Sequence, residues 1–163
     1  MSEKFTTRVA VFVVVRNQAG ELLLQQRANT GYLDGYWDFA ASGHLEAGES
    51  IRTAAIRELS EEIGLTAKEE DLKLVHVGQN HLDIPYINFI FMLDTWQGEP
   101  AIQEPDKCTG LKWFALDALP QHCTLGVRVK HRLGLSRELT YTYVNTENYE
   151  EYMNEKWPGE SRQ

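Results

Sequence analysis

Short apolar runs alternate with polar, glycine-bearing breaks along this chain. "RVAVFVVVRNQAGELLLQQR" reads as strand, tight turn, strand. The β-branched run Val9 to Val15 suits a buried strand. "NQAG" supplies turn residues, with Gly20 free to take positive φ. "ANTGYLDGYW" follows as a Gly- and Tyr-rich loop, and "WDFAAS" as a short strand. The pattern then turns helical from Ile51 to Ile63, with Ser50 as N-cap and Gly64 as the residue that ends it. "LKLVHVGQNH" and "YINFIFMLDTW" are two further strands, and "QGEPAIQEPDKC" is a loop with two prolines. "LKWFALDALP" reads as a strand and a short helical turn stopped by Pro120, "LGVRVKHRLGL" as a helix, and "ELTYTYV" as an alternating strand. The polar tail predicts a short helix near Tyr149 to Trp157, with mobile last residues. Strands, helix, strands, helix make an α/β chain with a mixed sheet and helices packed on it.

Composition narrows this only a little. The chain has 163 residues, is 42% hydrophobic and 25% charged, which fits one folded domain. We divide it into a domain over 1–140 and a partly flexible C-terminal extension over 141–163. The net charge of -8 and the lack of a long basic block argue against a large nucleic-acid interface. An anionic substrate would then need a bound cation or local arginines to offset the field. Val9 to Val15 is too short to span a bilayer and lacks the layout of a signal peptide, so no membrane partner is expected. Cys108 and Cys123 lack CxxC spacing and read as reduced thiols of a cytoplasmic protein.

The chemistry concentrates in "GHLEAGESIRTAAIRELSEEIGL". At about 100° per residue, Ala55, Ile56, Leu59 and Ile63 form an apolar stripe with Ile51. Glu58, Glu61 and Glu62 fall together in a neighbouring arc. Such a cluster can stay in water as a solvated face, with Arg57 paired to Glu61 at i, i+4. It can instead take up protons or a hard cation that prefers oxygen ligands. Gly43 and Gly48 let the lead-in loop turn tightly and approach the helix.

Gly43, five residues, Glu49, seven residues, then Arg57-Glu58-Leu59-Ser60-Glu61-Glu62-Ile63-Gly64-Leu65 fill every fixed place of the Nudix box. The chain thus resembles the Nudix hydrolase family from about Arg8 to Pro120. The resemblance implies an α/β/α sandwich with a mixed sheet, the box forming loop, helix and loop. It implies cleavage of a nucleoside diphosphate linked to another group, most simply a nucleoside triphosphate. It implies Mg²⁺, with Mn²⁺ able to substitute, held by Glu58, Glu61, Glu62 and the backbone carbonyl of Ser42. Arg57 is expected to orient Glu58, and Glu49 to brace the loop. Another carboxylate, Glu104 or Asp106, is expected from a loop across the site as ligand or base, with Glu104 preferred. Arg27 at the end of "LLLQQR" is placed to reach phosphates, or else to form a surface salt bridge.

Tyr36, with Tyr32 and Trp37, could stack on a base, although Trp37 beside a strand also suits the core. His81 and Asp83 could reach the cleft or be ordinary loop polar residues, and His44 is given no chemistry. Ala41 stands where many family members have Pro, which affects loop rigidity. Three other readings stay open. One is hydrolysis of a nucleoside diphosphate joined to a sugar or alcohol. Another is a non-catalytic nucleotide sensor, which an intact box disfavours. The last is an isoprenoid-diphosphate isomerase, disfavoured because "WDFAASG" lacks a cysteine. The attached group and the oligomeric state, a homodimer included, are not written in the box.

Overall fold

The computed structural model describes residues 2–155. Its elements are β1 (Arg8–Arg16), β2 (Leu22–Arg27), β3 (Trp37–Phe39), β4 (Ala41–His44), α1 (Ile51–Ile63), β5 (Lys73–His81), β6 (Tyr86–Leu93), β7 (Cys108–Phe114), α2 (Leu125–Leu133), β8 (Thr140–Asn145) and α3 (Tyr149–Met153). They build one eight-stranded sheet in the order β3-β2-β1-β6-β5-β8, with β4 on β1 and β7 on β2. β1 with β6 and β5 with β8 run parallel and the other pairs antiparallel, so the sheet is mixed as expected.

The apolar run of β1, Val9 to Val15, is explained by burial on both faces. Val11, Val13 and Val15 pack on α1 through Ala54, Ala55, Leu59 and Ile63, with Phe91 and Leu93 beside them. Val14 faces the other way, into a cluster with Leu24, Phe39, Ile90 and Val127 of α2. A strand between two helix layers needs hydrophobic residues at successive positions rather than alternate ones.

The sheet splits beside β1. β2 pairs with β1 only at Val15 and Arg16, while β4 takes the edge from Ala10 to Val13. The stretch read as one strand, "WDFAAS", is therefore two, broken at Ala40, because β3 pairs with β2 and β4 with β1. This split opens the space above the C-terminal half of α1.

The boundary drawn at 140/141 falls inside β8, which pairs with β5 from His76↔Thr140 to His81↔Asn145. Residues 141–145 are sheet, and Tyr149, Tyr152 and Met153 of α3 pack with Leu125 and Val129 of α2. The helix expected near Tyr149 to Trp157 is observed as Tyr149–Met153, and Trp157 and the tail beyond it lie outside the described residues. Among the described residues, no helix is long and apolar enough to cross a membrane.

Candidate active site

α1 begins where the Ser50 side chain accepts from the Thr53 N–H, and ends at Gly64 with φ 71°. Both ends match the sequence reading. Its apolar stripe docks on the sheet, which turns the carboxylate arc toward β4 and the split.

Arg57 organises the near side of this arc. Its Nη2 and Nε donate to Glu49 at 2.7 and 3.1 Å. Nη1 donates to Glu58 Oε1 at 2.7 Å and to Glu61 Oε2 at 3.3 Å. Nη2 also reaches the His44 carbonyl at 3.1 Å, tying β4 to the helix. Glu49 in turn accepts from the Glu46 N–H at 2.7 Å, so it braces the lead-in loop. The Arg57 guanidinium is the main reason the Glu49 carboxyl is held below its ordinary range.

Gly43 is required by contact. A Cβ there would overlap the Glu58 carboxylate, so only glycine lets that side chain lie across β4. Burial pushes the Glu58 carboxyl up, against the opposing pull of Arg57.

Glu62 is the most perturbed acid of the cluster. Its Oε2 accepts from the Ser42 N–H at 2.7 Å and from Gln25 Nε2 at 3.3 Å. Burial nevertheless pushes its carboxyl up to about 8, and the charges of Glu58 and Glu104 add to the rise. Glu61 is different, with a side chain 55% exposed.

Glu104 arrives from a loop anchored on α1. The N–H groups of Ala101 and Gln103 donate to the carbonyls of Ile63 and Glu62, each at 3.0 Å. They satisfy acceptors that the end of a helix leaves free. The Lys107 and Cys108 N–H groups then fold back on the Glu104 carbonyl. Glu104 lines the cleft, whereas Asp106 does not; the latter only lends its carbonyl to Asn29 at 2.8 Å.

The cleft itself measures about 470 Å³ and is lined by Glu62, Glu104, Gln25, Ser42 and Gly43 at its acidic floor. Arg27, Lys107, Asn29, Thr30, His44 and Cys108 complete the wall. Arg27 is held over the Tyr32 ring at 5.6 Å and donates to the Tyr32 carbonyl at 2.9 Å. Its Nη1 lies 3.4 Å from Asp38. A more open depression of about 570 Å³ lies at the β1–β2 turn, but its acid, Asp94, is already paired with Arg16 and Arg137.

Other expected residues fall elsewhere. Tyr36 is not on the cleft wall; its ring lies 5.3 Å from that of His122, because β3 runs along the outer side of β2. Trp37 packs edge-on against Phe114, and His81 against Phe5. Conversely, Gln25, Asn29, Thr30, Lys107 and Cys108 line the cleft without having been singled out. Gln25 had a readable signal: a polar residue on the strand face that Leu23 buries against α1.

Among the described residues, no three acidic, histidine or cysteine side chains are already gathered as a ligand cluster. Glu58 is engaged by Arg57, Glu62 by Ser42 and Gln25, and Glu61 points outward. The donor set nevertheless suits a hard divalent cation: desolvated carboxylates with like-charged neighbours.

A family profile described as "NUDIX domain" matches residues 6–150. The chain belongs to the Nudix family. It is 36% identical over 121 residues to an oxidized purine nucleoside triphosphate hydrolase of Danio rerio, covering 71% of either chain. It is 35% identical over 126 residues to an 8-oxo-dGTP diphosphatase of Haemophilus influenzae, covering 74% of this chain and 86% of that one. Its fold superposes on a MutT Nudix hydrolase from Burkholderia pseudomallei with a TM-score of 0.72 and 28% identity, over 78% of this chain and 98% of that one. This Nudix hydrolase therefore has the α/β fold with flanking helices that its box implied. It is a nucleotide pyrophosphatase by family.

Proposed function

We propose that this protein is a Mg²⁺-dependent pyrophosphohydrolase whose substrate is an oxidised purine nucleoside triphosphate. The observation that carries the proposal is the pairing of Glu62 and Glu104 on the cleft floor (Glu58 close enough to raise Glu62) with Arg27 and Lys107 on one cleft wall. The basic wall suits phosphates, and a cation would relieve the repulsion that raises Glu62 on the floor. The printed functions of the Danio rerio and Haemophilus influenzae relatives support the oxidised purine.

Glu58, Glu61, Glu62 and the Ser42 carbonyl would hold the cation. A bound Mg²⁺ offsets phosphate charge and lowers the pKa of an attacking water. Arg27 and Lys107 bind the outer phosphate oxygens and fix the chain of phosphates along the cleft. Arg57 keeps Glu58 against Gly43 through its bond to Oε1. Ser42 and Gln25 hold Glu62 by one oxygen, Oε2, leaving Oε1 for the cleft. Glu104 takes the proton of the water at its carboxylate. Much of the rate gain is positioning and charge stabilisation. Cys108 and Cys123 are both free and buried, which supports a reducing, cytoplasmic setting.

The test is a panel of 8-oxo-dGTP, dGTP, nucleotide sugars and ADP-ribose with Mg²⁺, followed by phosphorus NMR in ¹⁸O-water. Pyrophosphate release from 8-oxo-dGTP, with kcat/KM about tenfold or more above that for dGTP, is the expected result. Faster cleavage of a nucleotide sugar would move the substrate to that class. Binding without turnover of any compound would make the protein a sensor.

A further inference from the structure

One cross-strand row on the α2 face of the sheet runs His44–Ala10–Asn88–Gly78–Thr142. Residues directly paired across strands point to the same face. Asn88 thus stands between an alanine and a glycine, so its amide sits in a notch. A Cβ on Gly78 would meet nothing closer than His76 Nε2 at 3.6 Å, which leaves room beside the amide. Asn88 Oδ1 is buried and has no hydrogen-bond partner among the described residues. Native proteins seldom keep such an acceptor without water or a ligand.

His44 links the notch to the cleft. His44 lines the cleft wall, and its Nε2 lies 2.9 Å from Tyr86 Oη. The two rings are 5.6 Å apart and inclined by 34°. Tyr86 shares the face of β6 with Asn88, and the Arg8 guanidinium lies 6.0 Å from its ring centroid. From the β4 lip of the cleft to Asn88 is two strand spacings, about 10 Å. Two aromatic rings therefore stand between the diphosphate site and an unpaired amide.

We propose that Asn88 reads the base of the substrate, the purine lying along His44 and Tyr86 with its five-membered-ring edge in the notch. This rests on the oxidised-purine reading above. Guanine presents two acceptors on that edge, N7 and O6. Oxidation at C8 to a carbonyl places a hydrogen on N7, so the edge becomes one donor and one acceptor. A carboxamide carries a donor and an acceptor side by side. It makes two bonds to the oxidised edge and one to guanine, where its oxygen would face the N7 lone pair. Which amide atom is oxygen is settled by the base, since the planar group can turn over.

The test is calorimetric binding of 8-oxo-dGMP and dGMP to the wild type, Asn88→Leu and Asn88→Ala, with kcat/KM for the two triphosphates alongside. Asn88→Ala removes both the donor and the acceptor without adding bulk, which covers the case in which Asn88→Leu fails to fold. The wild type should bind 8-oxo-dGMP about tenfold to a hundredfold more tightly than dGMP, and both variants should bring that ratio close to one. Variants that keep the wild-type ratio, or lose affinity for both nucleotides in equal proportion, overturn the role of Asn88 and leave the substrate reading standing. A wild type with no preference, while still releasing pyrophosphate from other triphosphates, overturns the substrate reading and the assignment together.

Discussion

Two groups of buried ionisable side chains lie on opposite faces of the same sheet, and they have been treated very differently. On the α1 face, Glu62 is pushed up to about 8 while its neighbours Glu58 and Glu104 repel it. On the α2 face, burial pushes His76 down to about 4, with Lys130 adding to the fall. His76 is satisfied: Thr140 Oγ1 donates to the Val75 carbonyl, so it accepts from His76 Nδ1–H, and Nε2 accepts from Thr142 Oγ1. That arrangement ties β8 to β5, and none of His76, Thr140 and Thr142 lines the cleft. Perturbed ionisation is therefore no mark of a site by itself. What separates the faces is convergence: like charges meeting at a cleft with Arg27 and Lys107 on its wall, against a neutral ring enclosed by hydroxyls.

The sharpest break of this contrast is substitution at the carboxylates. Glu58→Gln and Glu62→Gln should each lower Mg²⁺-dependent kcat by about a hundredfold to a thousandfold. The folded structure should survive, as judged by circular dichroism. Next in size is Gln25→Leu, which removes one of the two donors on Glu62 Oε2. Its apparent affinity for Mn²⁺, read by paramagnetic titration, should weaken by about tenfold to a hundredfold.

Melting temperature against pH, in chelator, should then show opposite slopes for the two faces. Glu62 has a folded-state value above its unfolded one, so stability falls as pH rises from about 4.5 toward 8. Glu58 and Asp38 are raised too and push the same way. Glu62→Gln should flatten that slope in part and raise the melting temperature at pH 8. His76 has a folded-state value below its unfolded one, so its contribution is lost as pH falls from about 6.5 toward 4. The smallest effect is expected at Thr142→Val. Losing one hydrogen bond costs about 1 kcal/mol, or roughly 2–4 °C in melting temperature, with kcat/KM unchanged.

The α1 face was the more legible of the two. Ser50, the 3.6-residue period and Gly64 are local signals, and they placed the helix to the residue. The box spacing named Glu49, Arg57 and Glu58, whose mutual bonds are made over short chain distances. Legibility failed where position depends on partners far along the chain. The break at Ala40 follows from β3 and β4 pairing with different strands. Gln25 meets Glu62, 37 residues on, only after the sheet closes. β8 looked like the start of an appendage because its partner, β5, is distant in sequence and runs parallel to it. Tyr36 suggested stacking by residue type, but the outer side of β2 decides where its ring goes.

The most direct measurement is Mn²⁺ binding, followed by electron paramagnetic resonance, to the wild type and to Glu62→Gln without nucleotide. If the crowded carboxylates of α1 exist to hold a divalent cation, the wild type should bind Mn²⁺, Mg²⁺ should compete for it, and Glu62→Gln should weaken it by about tenfold or more. Equal Mn²⁺ affinity in the two proteins would contradict the claim. The acidic arc would then be a solvated helix face that happens to overlook a cleft.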